Sequence, residues 1–215
     1  MKNRLHDYRK LYEKHQLLEE EIPTDPFELF HYWIKETETN KEVEEINTMT
    51  VSTVGLDGFP RSRVVLLKEY DREGFVFYTN YLSEKGKSIE NNPKVSLTFF
   101  WPASERQVLI KGIARKVSDA ESDEYFQSRP RGSQLGAWAS NQSSVIPSRE
   151  FLQKKLDLLE KEYENKPIPR PSHWGGYKVI PSEFEFWQGR PNRLHDRISY
   201  SRENELEWKI DRLAP

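Results

Sequence analysis

The residues whose types and spacing best suit chemistry lie near the C-terminal end, in the stretch Glu185–Tyr200. Around one glycine and one proline it gathers Trp187, His195, Asp196 and the three arginines Arg190, Arg193 and Arg197. A guanidinium is a planar fork of donors that matches a phosphate, a carboxylate or the edge of a flat ring, and tryptophan offers a stacking face. The stretch therefore suits an anionic, planar ligand, although a solvated hairpin is the simpler interpretation when it is taken alone.

Two segments on or next to predicted strands could supply partners. In the first, alternation along a strand places two sets of side chains on opposite faces: Arg61, Arg63, Val65 and Leu67 against Ser62, Val64, Leu66 and Lys68. In the second, Tyr78, Thr79 and Asn80 precede a helix that begins near Ser83 and carries Lys85 in its first turn. Free amides and the helix dipole favour an anion there. Charges at a strand end and ordinary helix capping explain the same residues equally well.

Two further segments combine helices and loops. Tyr125 and Arg129 lie one helical turn apart, and Ser133 is expected to cap the next helix, which together could clamp a phosphate. The loop Trp138–Ser144 carries amides and hydroxyls that could bind the polar edge of a ring. A surface helix with its loop is the competing interpretation. Glycine-rich phosphate loops and a nucleophile elbow are absent from the sequence, so any phosphate would be held by side chains.

The periodicity predicts the elements that must position these residues. Helical spacing predicts helices over Leu5–Leu17 and from Pro26 to about Thr39, the second capped by Thr24 or Asp25. Further helices are expected over Ser83–Asn91, Asp119–Ser128, Arg131–Ala139 and Ser148–Glu164, the last with Phe151, Leu152, Leu156 and Leu159 inward. Strands are expected over Thr48–Gly55, Arg61–Tyr70, Phe75–Asn80, Val95–Trp101, Arg106–Val117, Gly176–Pro181, Glu183–Gln188, Asp196–Ser201 and Glu205–Leu213.

This order predicts a mainly β protein with flanking helices, of the α+β class, built on a small antiparallel barrel. We expect a single domain over residues 1–215, with N-terminal helices at about 5–39 and a C-terminal strand region at about 173–215. The proline-containing segment Lys166–Ser172 is expected to be an extended connector and not a domain linker. Aromatic residues make up 13% of the chain against 35% apolar overall, which predicts an aromatic core that a partner subunit could complete.

Composition excludes several classes of site. The chain has 33 basic and 35 acidic residues, for a net charge of -2, which argues against general nucleic-acid or anionic-membrane binding. It has no cysteine, so disulfides, thiol nucleophiles and iron–sulfur clusters are excluded, and we expect a cytoplasmic protein. Its five histidines are scattered, so we expect no metal site. No apolar run approaches the roughly 20 residues that cross a bilayer.

Ordered motifs along the chain carry a family resemblance. They are Arg63–Lys68, Phe77–Asn80, Tyr125-Phe126, Ser128-Arg129-Pro130, Ser133-Gln134, Gly136–Ser140, Gln142-Ser143, Trp174-Gly175-Gly176, Glu185–Arg190, Arg193–Arg197 and Arg212–Pro215. Through this set of motifs, the chain from about Asp25 onward resembles the pyridoxine/pyridoxamine 5'-phosphate oxidases. The resemblance implies an FMN-dependent split-barrel flavoprotein that makes pyridoxal 5'-phosphate, and a homodimer with FMN at the subunit interface.

The resemblance also implies roles for individual residues. It assigns FMN contacts to Arg63, Val64, Val65, Leu66, Leu67, Lys68, Tyr78, Thr79, Lys85, Gln107, Gln142, Ser143, Trp187 and Arg197. It assigns the substrate phosphate to Lys68, Tyr125, Arg129 and Ser133, and the substrate ring to Arg193 and His195 as the catalytic pair. A looser match makes Arg9–Tyr12 part of a lid. Arg190 and Asp196 receive no role, and a structural ion pair is the expectation for each.

The chain departs from the family pattern at one position, and three alternative functions remain open. Family members usually carry a basic residue where this chain has Glu84, so we expect that carboxylate to turn to solvent and not toward the FMN phosphate. The alternatives are a split-barrel flavoprotein with another substrate, a non-catalytic carrier of FMN or pyridoxal phosphate, and a single-strand nucleic-acid module. The last would use the arginines of Glu185–Tyr200 with Arg202, Trp187 and Tyr200, and the acidic balance makes it the weakest.

Overall fold

Helix α1 shows how local signals set the first element. The computed structural model describes residues 5–6, 10–41, 43–204 and 207–215. Helix α1 covers Pro26–Thr39, with Pro26 at its first turn and the Asp25 carboxylate accepting a hydrogen bond from the Phe27 amide. Its apolar stripe, which includes Phe30 and Trp33, is buried. Cap, proline and stripe are those that the sequence predicts.

The remaining helices lie close to their predicted positions. They are α2 (Glu84–Asn91), α3 (Asp119–Ser128), α4 (Arg131–Ala139) and α5 (Arg149–Glu162). Serines cap three of them, and Ser118 forms a capping box with Glu121 at α3. Ser133 does not cap α4 as predicted: the helix begins at Arg131, so Ser133 lies within its first turn. Phe151 of α5 is half exposed and not inward, whereas Leu156 and Leu159 pack against a buried cluster.

Nine strands occur in the part of the chain that the structure describes. They are β1 (Thr48–Val54), β2 (Pro60–Leu66), β3 (Glu69–Asp71), β4 (Gly74–Asn80), β5 (Lys94–Trp101), β6 (Arg106–Lys116), β7 (Trp174–Gln188), β8 (Asp196–Arg202) and β9 (Trp208–Arg212). The strand order is β2-β1-β5-β6-β7-β4-β3, with β8 paired to β7 and β9 to β8. The pairs that involve β3, β4, β8 and β9 are antiparallel.

Two strand predictions need correction. The predicted strand Arg61–Tyr70 is two strands, because after Leu66 the chain leaves β2, and Glu69 then pairs with Val76 of β4. The predicted strands Gly176–Pro181 and Glu183–Gln188 form one continuous strand, β7. The predicted last strand begins at Trp208, and Glu205 and Leu206 lie outside the described residues.

The predicted first helix is wrong in its described part. Residues 10–18 form no helix, and only a 3-10 turn follows at Glu19–Glu21. The physical reason is competition for the backbone: the amides of Glu13 and Lys14 donate to the Glu105 carboxylate, and the Leu17 amide donates to Asp196. Distant carboxylates thus take the donors that a helix would need. Residues 7–9 of the predicted helix lie outside the described residues.

The chain divides into two compact units. One comprises residues 1–49, 97–111 and 182–215, and its core is aromatic: Phe30 packs on Phe99, and Trp33 on Phe186. The other comprises residues 50–96 and 112–181 and includes a buried cluster of Phe126, Leu135, Ile168 and Trp174. These edge-to-face ring contacts at about 5 Å are a favourable aromatic geometry. The composition predicts such an aromatic core.

Candidate active site

A pocket of about 470 Å³ lies in the unit of residues 50–96 and 112–181. We call it the cation pocket. Its walls are Val64, Val65, Leu66, Lys68, Tyr78, Thr79, Asn80, Lys85, Tyr125, Arg129, Pro130, Ser133, Gln142 and Trp174. Eleven of the predicted FMN and phosphate residues are therefore brought together from four separate segments of the chain.

Lys85, on the wall of the cation pocket, and the nearby Arg63, which does not line it, are two positive charges with neutral partners. Lys85 is buried in the first turn of α2, and its Nζ donates to Thr79 Oγ1 at 3.1 Å. Arg63, on β2, donates to Thr53 Oγ1 at 2.8 Å and to the Arg61 carbonyl. Burial lowers the pKa of Lys85, and the nearby charge of Arg63 lowers it further. Two cations held close together without a bound carboxylate suit an anion.

Another part of the cation pocket is a stack of aromatic rings that carries Arg129. Tyr78 and Tyr125 stack at 3.9 Å between ring centroids, and Trp174 stacks on Tyr78 at 5.5 Å. The guanidinium of Arg129 lies 4.5 Å from the Trp174 ring centroid. Its Nη1 is buried and has no hydrogen-bond partner among the described residues. Burial lowers the pKa of Arg129. An unpartnered, buried guanidinium nitrogen on the pocket wall is a donor that suits an anionic ligand.

Backbone geometry at the start of β7 fixes the tryptophan of this stack. Arg170 donates to the Trp174 carbonyl at 2.7 Å and is itself ion-paired with Asp119 and Asp123 of α3. A Cβ on Gly176 would lie 2.8 Å from the Tyr78 ring, so only glycine lets the strand approach that ring. The glycines of the Trp-Gly-Gly motif therefore let the start of β7 pass close to Tyr78, where Trp174 stacks on its ring.

A second pocket of about 550 Å³ lies in the unit that contains the C-terminal strands. We call it the histidine pocket. Its walls are Lys10, Leu11, Tyr12, Trp187, Arg190, Pro191, Asn192, Arg193 and His195. The rings of Trp187 and His195 are 4.6 Å apart, and Tyr12 meets both edge-on at 5.8 Å. Trp187, Arg193 and His195 are thus brought together as the sequence predicts.

Hydrogen bonding and charge set the protonation of His195. The Arg190 amide donates to His195 Nδ1 at 3.0 Å, which leaves the imidazole proton on Nε2. Burial lowers the pKa of His195, and the charge of Arg193 lowers it further, against the opposing effect of Asp196. Arg193 and Asn192 both have a positive φ, at 62° and 58°. Such backbone is costly for residues other than glycine and is concentrated at functional sites.

The N-terminal segment that lines the histidine pocket is bound by the carboxylate of Glu105. Glu105 is buried, and its Oε2 accepts from the Glu13 amide at 2.9 Å and the Lys14 amide at 3.2 Å. Lys10 pairs with its other oxygen at 3.3 Å. A Cβ on Gly189 would lie 2.8 Å from the Tyr12 ring, so glycine is required where that ring seats. Arg9, the other residue of the predicted lid, lies outside the described residues.

Five predicted FMN residues line neither pocket: Arg63, Leu67, Gln107, Ser143 and Arg197. Arg63 nonetheless acts on Lys85 through its charge, while Leu67 is buried. Arg197 is paired with Glu185 at 2.8 Å and lies opposite Trp187 across the β7–β8 pair. Arg190 and Asp196 form the predicted ion pair, at 3.5 Å. The roles given to these residues remain predictions.

Sequence reasoning passed over several lining residues. Trp174 is the most important, and its signal was available in the Trp-Gly-Gly motif, where two glycines beside a large ring indicate a close approach. The sequence places Tyr12 only in the loosely matching segment Arg9–Tyr12. Glu105 carried no local signal, because its partners are amides about 90 residues away in the chain.

Comparison with known proteins decides the family. A family model described as pyridoxamine 5'-phosphate oxidase matches residues 36–161, more than half of the chain. The chain belongs to this family. A second family model, the pyridoxine 5'-phosphate oxidase C-terminal dimerisation region, matches residues 174–215. The family models thus cover both pockets apart from the N-terminal wall of the histidine pocket.

Full-length relatives and solved structures agree with that family. The chain is 62% identical to the pyridoxine/pyridoxamine 5'-phosphate oxidase of Flavobacterium johnsoniae, over 99% of both chains. It is 55% identical to that of Christiangramia forsetii, over 100% of both. Among structures, it is similar to PhzG from Burkholderia lata, in complex with tetrahydrophenazine-1-carboxylic acid, at 28% identity, a TM-score of 0.84, and 91% and 95% coverage of the two chains.

A more distant structure shares the fold alone. It is an FMN-binding protein of Nostoc punctiforme related to pyridoxamine 5'-phosphate oxidase, at 15% identity and a TM-score of 0.69, covering 90% of this chain and all of that one. The predicted fold class, an antiparallel split barrel with flanking helices, is confirmed. None of the helices in the described residues has the length and apolar character to span a bilayer.

Proposed function

We propose that this chain is an FMN-dependent oxidase that converts pyridoxamine 5'-phosphate and pyridoxine 5'-phosphate to pyridoxal 5'-phosphate. Oxygen is the acceptor and hydrogen peroxide a product, and the amine substrate also takes up water and releases ammonia. The observation that carries the proposal is Arg129, whose buried Nη1 has no partner among the described residues and lies on a wall shared with Lys68 and Ser133. That donor set suits a phosphate monoester.

The residues present fit both anions that the reaction requires. Arg63 and Lys85, with Thr79, would hold the FMN phosphate, because their partners among the described residues are neutral oxygens. Lys68, Tyr125, Arg129 and Ser133 would hold the substrate phosphate. FMN, when bound, would supply the redox chemistry, as the acceptor of a hydride from the substrate and the donor of two electrons to oxygen.

The protein's own contribution is binding and orientation. A phosphate held far from the reacting carbon provides binding energy that fixes the ring in place, which raises the rate by limiting misaligned approach. Arg193 would orient the substrate ring. His195, with its proton on Nε2, would present a hydrogen-bond donor to the substrate ring, while its Nδ1 accepts from the Arg190 amide. These two side chains and Trp187 line one pocket, which supports their joint role.

We propose a homodimer with FMN at the subunit interface. The match to a dimerisation region over residues 174–215 supports it. Exposed apolar side chains on and between β1 and β2 also support it, since Leu56, Phe59 and Val64 are each about two-thirds exposed. Light scattering from the purified chain should give twice the mass of the monomer. The cytoplasmic location stays a prediction.

A visible spectrum tests cofactor, substrate and chemistry together. The purified protein should be yellow, and anaerobic addition of pyridoxamine 5'-phosphate should bleach the flavin absorbance, which air then restores with peroxide formation. Unphosphorylated pyridoxamine is the matched control and should bleach it far more slowly. A chain that binds no FMN, or that binds it without reduction by either vitamer, would exclude the proposed function.

PhzG, at 28% identity, holds a carboxylated tricyclic ring, which makes a carboxylate substrate the second candidate. The same bleaching assay separates the two classes. Reduction by a dihydroaromatic carboxylate and not by phosphorylated vitamers would favour the second. We expect the opposite, because Arg129, beside the stacked rings of Tyr78, Tyr125 and Trp174, offers a buried donor that suits the phosphate of a B6 vitamer.

A further inference from the structure

Glu84 occupies a position where its charge works against the proposed phosphate site. It is the first residue of α2, directly before Lys85, and its side chain is about half exposed. Burial lowers the pKa values of both Arg63 and Lys85, and the negative charge of Glu84 opposes that effect on both. A carboxylate this near two anion-binding cations would compete with a phosphate for them.

Arg61 engages that carboxylate. Its Nε lies 2.5 Å from Glu84 Oε1, while its Nη1 and Nη2 bind the two oxygens of Asp57 at 2.6 and 2.7 Å. Asp57 is itself fixed in the β1–β2 turn, where it accepts from the Phe59 amide. All three guanidinium nitrogens of Arg61 therefore bind carboxylates, and Arg61 is anchored to a turn before it meets Glu84.

Arg63 lies two residues further along the same strand but has different partners. It donates to Thr53 Oγ1 and to the carbonyls of Arg61 and Val51, all neutral. Among the described residues, neither Arg63 nor Lys85 forms an ion pair with a carboxylate, although Glu84 is adjacent to Lys85. Arg61 thus binds both acidic groups, and Arg63 and Lys85 bind none among the described residues.

We propose that Arg61 is a positioning residue that holds the Glu84 carboxylate away from Arg63 and Lys85, which keeps those two cations available to a phosphate. The inference rests on the proposed FMN site. It also explains how this chain tolerates an acidic residue there: the opposing charge is supplied by a neighbouring strand. Without Arg61, the Glu84 carboxylate is free to turn to the adjacent Lys85 and bind it in place of a phosphate.

A double-mutant cycle on the apoprotein tests this role. FMN affinity is measured by quenching of flavin fluorescence, with inorganic phosphate as a competing probe. Arg61→Gln should weaken FMN binding by about fivefold at low salt, and less at high salt because exposed charges are screened. Glu84→Gln should bind FMN at least as tightly as the parent chain. The double variant should match Glu84→Gln, because the carboxylate that Arg61 restrains is gone.

The alternative is that Arg61 contacts the phosphate directly, and the cycle separates the two roles. If the double variant binds as weakly as Arg61→Gln, the positioning role is overturned, and so it is if Arg61→Gln binds normally. Lys111→Gln is the matched control, since it removes an exposed ion pair with Glu183 at 2.7 Å and should leave FMN affinity unchanged. Thermal unfolding checks that each variant is folded. A parent chain that binds no FMN would instead overturn the proposed function itself.

Discussion

The guanidinium of Arg129 lies 4.5 Å from the ring centroid of Trp174, and its Nη1 is buried without a hydrogen-bond partner among the described residues. Arg129→Gln should raise the KM for pyridoxamine 5'-phosphate by about tenfold to a hundredfold, because a charge-assisted bond to the substrate phosphate is lost. Steady-state oxygen uptake measures this. The activity with unphosphorylated pyridoxamine should change little, and equal losses on both substrates would contradict the assignment.

Arg131 provides the control for that substitution. It is an exposed arginine at the start of α4 that donates to the carbonyls of Lys166 and Tyr163. Arg131→Gln removes the same charge two residues away and should leave the KM for the phosphorylated substrate within about twofold, since a surface charge is screened. The comparison isolates the buried donor from the general positive charge of the region.

The ammonium of Lys85 should make FMN binding depend on pH. Burial and Arg63 lower its pKa below the usual 10.5. A phosphate dianion favours the charged amine, so FMN affinity should fall as pH rises through the pKa of Lys85 in the apoprotein. Titration of the FMN dissociation constant between neutral and alkaline pH measures it. In Lys85→Met this alkaline loss should disappear and binding should be weak throughout, whereas exposed Lys87→Met on the same helix should keep the parental curve.

The imidazole of His195 should be neutral at physiological pH. Burial and the charge of Arg193 lower its pKa below 6.5, so the folded state binds fewer protons than the unfolded state between the two pKa values. The stabilising contribution is therefore complete above about pH 6.5 and is lost as pH falls toward the folded pKa. NMR titration of the imidazole in Arg193→Gln should show a raised pKa. Arg202→Gln, an exposed change on the end of β8, should not shift it.

The carboxylate of Glu105 should hold the N-terminal wall of the histidine pocket. Glu105→Ala leaves the amides of Glu13 and Lys14 without their acceptor and should lower the free energy of unfolding by about 2 kcal/mol. The freed segment should be cut by trypsin after Lys14 faster than in the parent chain. Glu105→Gln keeps an acceptor oxygen and should be cut at close to the parental rate, so rapid cleavage of both variants would contradict the role of hydrogen bonding.

Local signals in the sequence were sufficient for much of the fold. Helix α1 has the predicted proline, cap and buried stripe, and the capping box at Ser118 marks the start of α3. The first predicted helix failed because its amides are bound by Glu105 and Asp196, which no local pattern reveals. The prediction of one strand over Arg61–Tyr70 was wrong because the chain changes its pairing partner from β1 to β4 there, and the alternation of residues does not reveal that change.

Local patterns indicated pieces of the candidate site, and family resemblance joined them into one site. Spacing alone favoured a strand-end charge for Lys68 and left an anion site and an ordinary surface interpretation equally open for Lys85 and Arg129, because the cation pocket joins segments that lie far apart along the chain. The sequence predicts that Glu84 turns to solvent, and its side chain is half exposed. The sequence gives no sign that Arg61 is its partner, because strand alternation indicates only a strand-end charge there. Which cations bind carboxylates and which remain available depends on side-chain geometry, which the order of residues does not encode locally.

Glu105 binds residues 13 and 14 through their amides and not through their side chains. The interaction with the Glu105 carboxylate consequently does not depend on which side chains stand at positions 13 and 14. Substitutions there can accumulate freely during evolution or library design while the segment stays docked, with proline as the one natural residue that this interaction excludes, because it has no amide hydrogen to donate.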